Sequence, residues 1–430
     1  MFNIIILLFL QLIFSLSPQT ESHSVSTVDF IQVQGNQKTK DYIILREVQQ
    51  NLYSPWTEES IIEDKNRIYN LGLFSSVHID VITNEENKNI YMITVSEMWY
   101  IWQFPIIKYD NQSNNFSYGG GMMHNNFRGR DENLALGATF GNIREYFLWY
   151  KNPWISGDHR SLELGAYNES SDHHVYNIIE KDKGLFAEGG FYRGDNHKFN
   201  FGILYNNKLI ESIEDDSKDT LLIKYLAQVD FTYIRINSNY RYDTRDIYID
   251  PSSGFFLEAE INNIFGINRT QNIYEFELDF NVYHNLLSGY FNPVIKYNFL
   301  SNFQYSSSSL PIFSKNYIGG QDYIRGYSAI PSENPMDNYS DIIEVDNFVI
   351  NTFEIQSTIV KRKEYLEGVE MGLDFTLFAD WGLGYNLNNS INWNNAIYGY
   401  GLGLRIFLMG GVIKLDFGFN PYGTSRLHLF

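Results

Sequence analysis

Two histidines side by side, His173-His174, and two adjacent carboxylates, Asp215-Asp216, have side-chain types that could bind a metal or share a proton. Neither is convincing. A histidine pair needs at least one further ligand, and these two sit in a polar stretch that suits solvated loop residues. The aspartates lie in "ESIEDDSKD", where hydration explains a charge run better than acid–base chemistry does. With no cysteine, thiolate catalysis, thiolate metal sites and disulfides are excluded. G-x-S-x-G, P-loop and H-E-x-x-H motifs are missing. We therefore expect a protein that is not an enzyme, with no catalytic residue, metal or cofactor.

One cation stands out instead. "GGQDYIRGY" places Arg325 behind the glycine pair Gly319-Gly320 and directly ahead of Gly326 and Tyr327. It lies in the longest connection, residues 306–345, and loops of that length are usually functional or disordered. The serine run Ser306 to Ser309 suits disorder; Tyr317, Ile318, Tyr323, Ile324 and Tyr327 do not. Arg325 is then either an exposed turn arginine or a partly desolvated cation. A desolvated cation demands carboxylate partners. Side-chain parity supplies them. In "FEIQSTIV", Phe353, Ile355 and Ile359 share the apolar face, leaving Glu354 and Gln356 opposite. In "GLDFTLFADWG", Leu373, Phe375, Leu377 and Trp381 are apolar, leaving Asp374, Phe378, Asp380 and Gly382 opposite. The expectation is that Arg325 pins its loop against Asp380, with Glu354 as a second partner.

The elements that would position these residues fall into two parts. Val25 to about Glu97 reads β-α-α-β-β. "VDFIQVQGN" alternates and stops at a turn, Thr39 can cap a helix through "KDYIILREVQQ", and Pro55-Trp56-Thr57 opens a second helix closed by Gly72. Two alternating strands follow. From Gln103 onward alternation dominates: Leu134, Leu136, Ala138 and Phe140 share one face, and Phe276, Leu278, Phe280 and Val282 oppose Glu275, Glu277, Asp279 and Asn281. One such strand could belong to a soluble sandwich. About sixteen in series, with carboxylates and glycines on the inner face, fit a barrel with lipid outside and polar groups inside. Trp149, Tyr150, Trp154, Tyr385 and Trp393 suit interface girdles. Ahead of all this, Ile4 to Leu16 is apolar but short for a spanning helix. It reads as a secretory signal within residues 1–22, against a buried strand or short anchor. The net charge of −19 argues against nucleic-acid partners. The fold class is thus mainly β: a transmembrane antiparallel β-barrel over 103–430, preceded by one small domain over 25–100.

These motifs together resemble BamA-type outer-membrane assembly factors. "GGQDYIRGY" looks like their inserted-loop signature, and Asp380 in "FADWG" matches the F-x-D-x-G motif that partners its arginine. "YRYDTRDIYIDPSSG" resembles the family's D-x-R-D…P-x-x-G turn, here Asp243, Arg245, Asp246, Pro251 and Gly254. "VQGNQKTKDYIILREV" and "RIYNLGLFSSVHIDV" resemble the periplasmic POTRA module. Such factors usually carry several POTRA units and this chain has room for one, so the likeness extends equally to an accessory paralogue.

The resemblance implies a bacterial outer-membrane location with the POTRA domain in the periplasm. It implies clients that are unfolded outer-membrane or secreted proteins, contact with membrane lipid, and periplasmic or lipoprotein accessory subunits. POTRA strand edges would capture clients and a lateral gate would release them. That gate lies between the first barrel strand, near Ile107, and the last, with Leu427 and the terminal aromatic Phe430; six residues of "SRLHLF" should close it. Alternatives are a secretion pore dedicated to one exported partner, or an anchoring or passive barrel.

Overall fold

The computed structural model describes residues 27–110, 115–141, 144–156, 159–172, 178–212, 230–287, 289–306, 308–328, 343–366, 369–387, 389–408 and 411–429. The signal segment 1–22, His173-His174, Asp215-Asp216 and Phe430 lie outside the described residues.

The N-terminal domain contains β1 (Phe30–Gln34), α1 (Asp41–Leu45), α2 (Glu58–Asn70), β2 (Phe74–Thr83) and β3 (Asn89–Glu97). Its sheet order is β1-β3-β2, with β1 parallel and β2 antiparallel to β3. Thr57 and Ser60 form a capping box at the start of α2, satisfying backbone donors that no helical partner can reach. Gly72, at φ +68°, ends it. Ile43, Ile44, Ile68, Phe74, Tyr91 and Ile93 make the buried core.

Two expectations need correction here. Lys40, not Thr39, is the N-cap of α1 and makes no side-chain cap; the Thr39 hydroxyl instead meets Tyr100 Oη at 3.0 Å and accepts from Asn126 Nδ2 at 2.8 Å. The first helix also stops at Leu45 rather than running on to Gln50. Beyond it the backbone N–H groups of Gln49 and Gln50 donate to the buried Asp64 carboxylate, which competes with helical bonding.

The barrel strands are β4 (Ile101–Asp110), β5 (Asn115–Phe127), β6 (Glu132–Phe140), β7 (Tyr146–Asn152), β8 (Arg160–Asp172), β9 (Ile178–Arg193) and β10 (His197–Ser212). They continue with β11 (Asp230–Asp243), β12 (Gly254–Gly266), β13 (Asn272–Asn285) and β14 (Val294–Ser306). Two short inserted strands, β15 (Asn316–Tyr317) and β16 (Glu344–Val345), precede β17 (Asn347–Leu366), β18 (Val369–Tyr385), β19 (Ile397–Leu408), β20 (Gly411–Phe419) and β21 (Ser425–Leu429). All but β15 and β16 join one antiparallel sheet of 16 strands, in chain order from β4 to β21. The barrel begins at Ile101, slightly before Gln103. Leu136, Phe140, Ile203, Tyr205, Leu377 and Tyr400 are exposed along its outer face. That apolar exterior suits lipid, and no described helix is long and apolar enough to cross a membrane.

The aromatic girdle is only partly as expected. Trp149 points inward and donates its indole N–H to Glu163 at 2.8 Å. Trp154 packs under the Arg46 guanidinium at 4.4 Å, between the two domains. Trp393 stacks on Trp381 at the far end.

The expected pairing of β4 with β21 is not formed: no ladder joins them among the described residues, and Ile107 and Leu427 are each 69% exposed. β21 spends its five residues on β20. Pro105 in β4 has no N–H to give a ladder, which confines its strand to a sheet edge.

The N-terminal domain touches turns from widely separated strands, which it reaches only because the sheet rolls into a barrel. Lys40 N donates to Gly129 O at 3.0 Å, Arg46 pairs with Asp131 at 2.7 Å, and Gln49 meets Asp195 at 2.5 Å. Asn70 holds the 244–253 turn from both sides, donating to Asp246 O and accepting from Tyr248 N. Tyr69 bonds Glu370, and Ser76 bonds Glu364 at 2.9 Å.

Burial pushes the Asp131 carboxyl up to about 7, outweighing the Arg46 guanidinium beside it. Burial raises Glu47 next to Arg46 in the same direction. A carboxyl raised in the docked state stabilises docking at low pH, and that contribution is lost as pH rises through its docked value. Spin labels at Glu86 and Arg193 should therefore report a docked population that falls between about pH 4 and 7, the interval between the undocked and docked values of Asp131. Asp131→Asn should flatten that slope; an unchanged slope would contradict this assignment.

Candidate functional site

The described parts of the 307–346 connection, residues 308–328 and 343–346, turn back into the lumen rather than outward. Ile318, Ile324, Tyr327, Ile343 and Val345 bury themselves against Phe348, Ile350 and Ile397 of the barrel wall. Backbone bonds from Gly320 N to Ile324 O (3.0 Å) and from Ile324 N to Ile318 O (3.2 Å) tighten the tip, and Gly319 bridges Ile324. Residues 329–342 of this connection lie outside the described residues.

Arg325 sits at this tip and is only 4% exposed. It grips Asp380 as a fork: Nε donates to Oδ2 at 2.9 Å and Nη2 to Oδ1 at 2.7 Å, and the Arg325 backbone N–H adds a third bond at 3.0 Å. Nη1 donates to Glu354 at 2.5 Å and to Asp416 at 2.9 Å. The Phe378 ring lies 3.6 Å beneath the guanidinium carbon, a cation–π contact on the remaining face. Arg405 bridges Asp416 and Glu354, so two guanidinium groups face three carboxylates.

Close approach requires bare backbone here. Gly326 adopts φ +91°, and a Cβ there would sit 2.6 Å from Phe419 O. A Cβ on Gly399 would come within 1.9 Å of Arg325 O. Gly382 faces Ile324 in the same way, and the buried Tyr327 hydroxyl accepts from Tyr398 N at 3.2 Å.

Sequence parity thus leads to Glu354, Phe378, Asp380 and Gly382, but it passed over Asp416, Arg405 and His428. Their parity was readable: Ile413, Leu415, Phe417 and Phe419 alternate with Asp416, as Leu402, Leu404 and Ile406 do with Arg405. The two strands following the loop supply Glu354 and Asp380, and the lumen brings Arg405, Asp416 and His428 of the last three strands to the same point.

The second motif approaches from the opposite end. Arg245 forks onto Asp243 at 2.8 and 2.6 Å. Asp246 accepts from Ser252 and Ser253 N at 2.9 and 3.2 Å, closing a turn with buried Pro251 and with Gly254 at φ +107°. Burial, and then Asp243, push the Tyr248 phenol in this turn up to about 12. Asp250 at its apex receives Lys296 Nζ at 3.3 Å and Gln356 Nε2 at 3.0 Å. Between this apex and the loop tip lies a polar cavity of about 300 Å³, bordered by Asp250, Asp322, Tyr323, Arg325 and Glu354. Among the described residues no group of three or more His, Asp or Glu side chains could hold a metal ion. Of the gate residues, Ile107 and Leu427 point outward, away from this cluster.

Residues 126–429 match the Omp85 superfamily domain, and residues 26–97 match the POTRA surface antigen variable number repeat. The outer membrane protein assembly factor BamA of Nitratidesulfovibrio vulgaris is 24% identical over 416 residues, covering 93% of this chain and 49% of that protein. The chain therefore spans about half the length of this curated relative. BamA from Haemophilus ducreyi lacking POTRA domains 1–3 shares the fold at TM-score 0.57 and 16% identity, covering 94% of this chain and 83% of that one. CdiB from Acinetobacter baumannii aligns at TM-score 0.45 and 15% identity, covering 94% and 72% of the respective chains.

Removing one member of a buried ion pair strands its partner, at a typical cost of about 3–5 kcal/mol. Arg325→Ala and Asp380→Ala should each lower unfolding stability by about that much in denaturant titrations of the detergent-folded protein. The double variant should lose clearly less than the sum, because the pair interacts directly. Strict additivity would contradict the lock.

Proposed function

The chain belongs to the Omp85 superfamily, and on that premise we propose that it works without enzymatic chemistry to assemble β-barrel proteins into a bacterial outer membrane. The POTRA domain lies on the periplasmic side, where an unfolded client adds a strand to its free edge. The barrel then opens laterally at its seam and passes the client into lipid. Accessory periplasmic or lipoprotein subunits would act on the same face.

The observation that carries this reading is the seam itself. Every other neighbouring pair in the sheet is bonded, yet among the described residues the ladders end at β4 and β21. A client strand entering there would meet two strand edges that no ladder covers among the described residues. The POTRA edges support the first step. β2 is turned toward the barrel through Ser75 and Ser76, both bonded to Glu364, whereas β1 pairs with β3 alone among the described residues. A conduit through the lumen, as a secretion pore or passive channel needs, would require both the Arg325 loop and the Asp250 turn to withdraw. Lateral opening leaves both in place.

Because the chain has no cysteine, an engineered pair is a clean probe. Cysteines at Ile107 and Leu427, or at neighbouring positions that find the register, should oxidise when their Cα atoms come within about 7 Å. The oxidised protein should remain folded but stop inserting clients into vesicles, and reductant should restore activity. Full activity with the seam completely crosslinked would remove the lateral gate and favour the pore reading. Depleting the protein should cause broad loss of outer-membrane barrels; loss of one secreted species would point the same way as an active crosslinked seam.

A further inference from the structure

The terminal strand is weakly held along its length. β21 contributes five residues to a ladder with β20 and none to β4 among the described residues. Its inward side, however, meets the loop tip. His428 is buried at 8% exposure, and its Nε2 accepts the Gly326 N–H at 3.0 Å. On the other side of the same glycine, Asn420, in the turn joining β20 to β21, donates from Nδ2 to Gly326 O at 2.7 Å. Asn420 also accepts from Tyr422 N at 3.0 Å and donates to Thr424 Oγ1 at 2.7 Å, so it shapes the turn that aims β21. Gly418 completes the socket: a Cβ there would stand 2.4 Å from Gly326 N.

We propose that His428 is a positioning residue that latches the terminal strand to the Gly326 peptide of the inserted loop, so that release of this one contact sets how readily the seam opens. This rests on the lateral-gate reading above and names the residue that regulates it. The chemistry is specific. The bond needs an imidazole whose Nε2 carries no proton, and therefore an Nδ1–H tautomer. Replacing His428 with an apolar ring of similar shape leaves the buried Gly326 N–H without its acceptor, and a buried donor is costly to leave unmade. The strand then keeps its short ladder but loses its inward tether. Arg325 and its carboxylates stay in place, because none of their bonds involves His428. The latch thus joins the ion-paired loop tip to the edge strand that pairs on one side only among the described residues.

Hydrogen–deuterium exchange of the full chain in lipid nanodiscs reads this directly. His428→Phe should speed exchange of the 425–429 amides roughly fivefold to tenfold, the factor one net hydrogen bond represents. Exchange in β17 and β18 should not change. His428→Gln, which offers an amide oxygen at similar reach, should return β21 to within about twofold of the parent. Gly418→Ala, whose Cβ would stand 2.4 Å from Gly326 N and press the peptide that His428 holds, should also speed β21 and serves where His428→Phe folds poorly. Exchange in both His428→Phe and Gly418→Ala within twofold of the parent would overturn the latch. So would His428→Gln behaving like His428→Phe. No client enters this measurement, so a parent protein that inserts no client while its variants show these exchange changes would count against the insertion reading and leave the latch standing.

Discussion

A guanidinium taken out of water has to be met by charge and hydrogen-bond acceptors on every side, and the lumen of this barrel is arranged around that requirement. Arg325 enters on a tip rich in apolar and glycine residues, and among the described residues none of its carboxylate partners comes from the loop. The wall must supply them. Asp380 provides a fork, Glu354 and Asp416 take the remaining N–H groups, and Phe378 covers the exposed face. These four groups come from β17, β18 and β20. The inward parity of those strands is therefore constrained by one side chain as much as by lipid outside. Gly382, Gly399 and Gly418 follow from the same constraint, because a tip held this tightly leaves no room for Cβ atoms on the wall facing it.

The lumen is closed from both ends by elements that share a layer of polar side chains. From the POTRA end, Asn70 holds the 244–253 turn, and Asp250 at its apex binds Lys296 and Gln356. Lys296 stands directly opposite Glu354 in the β14–β17 register, and Glu354 binds Arg325. The small domain, the turn and the loop tip thus meet through a few residues on two adjacent strands. The seam is the place where this close packing stops. Its neighbours are an edge strand that contains Pro105 and the five-residue strand β21. The lock is densely ion-paired, whereas at the seam no ladder joins β4 to β21 among the described residues.

Much of this was readable from the chain, for identifiable reasons. Strict alternation reveals which residues face inward, and so pointed to Glu354, Phe378, Asp380 and Gly382 without any contact being known. Alternation does not reveal which strands meet across a lumen, because that depends on how the sheet rolls. Asp416, Arg405 and His428 escaped for that reason. Thr39 was readable as a cap and Trp149 as a girdle residue because each type favours those roles; tertiary partners, Tyr100 and Asn126 for one and Glu163 for the other, decided otherwise. The unpaired seam could have been suspected from Pro105, whose missing N–H marks an edge.

The central claim is that the Arg325 cluster keeps the inserted loop inside the barrel, leaving the seam as the way out. Ion conductance across planar bilayers tests it most directly, since an occupied lumen passes little current. The parent protein should show small, rare openings, and Arg325→Lys, which keeps a charge but loses the fork that spans Asp380, Glu354 and Asp416, should show large and frequent ones. Equal conductance in the two proteins, both folded, would contradict the account.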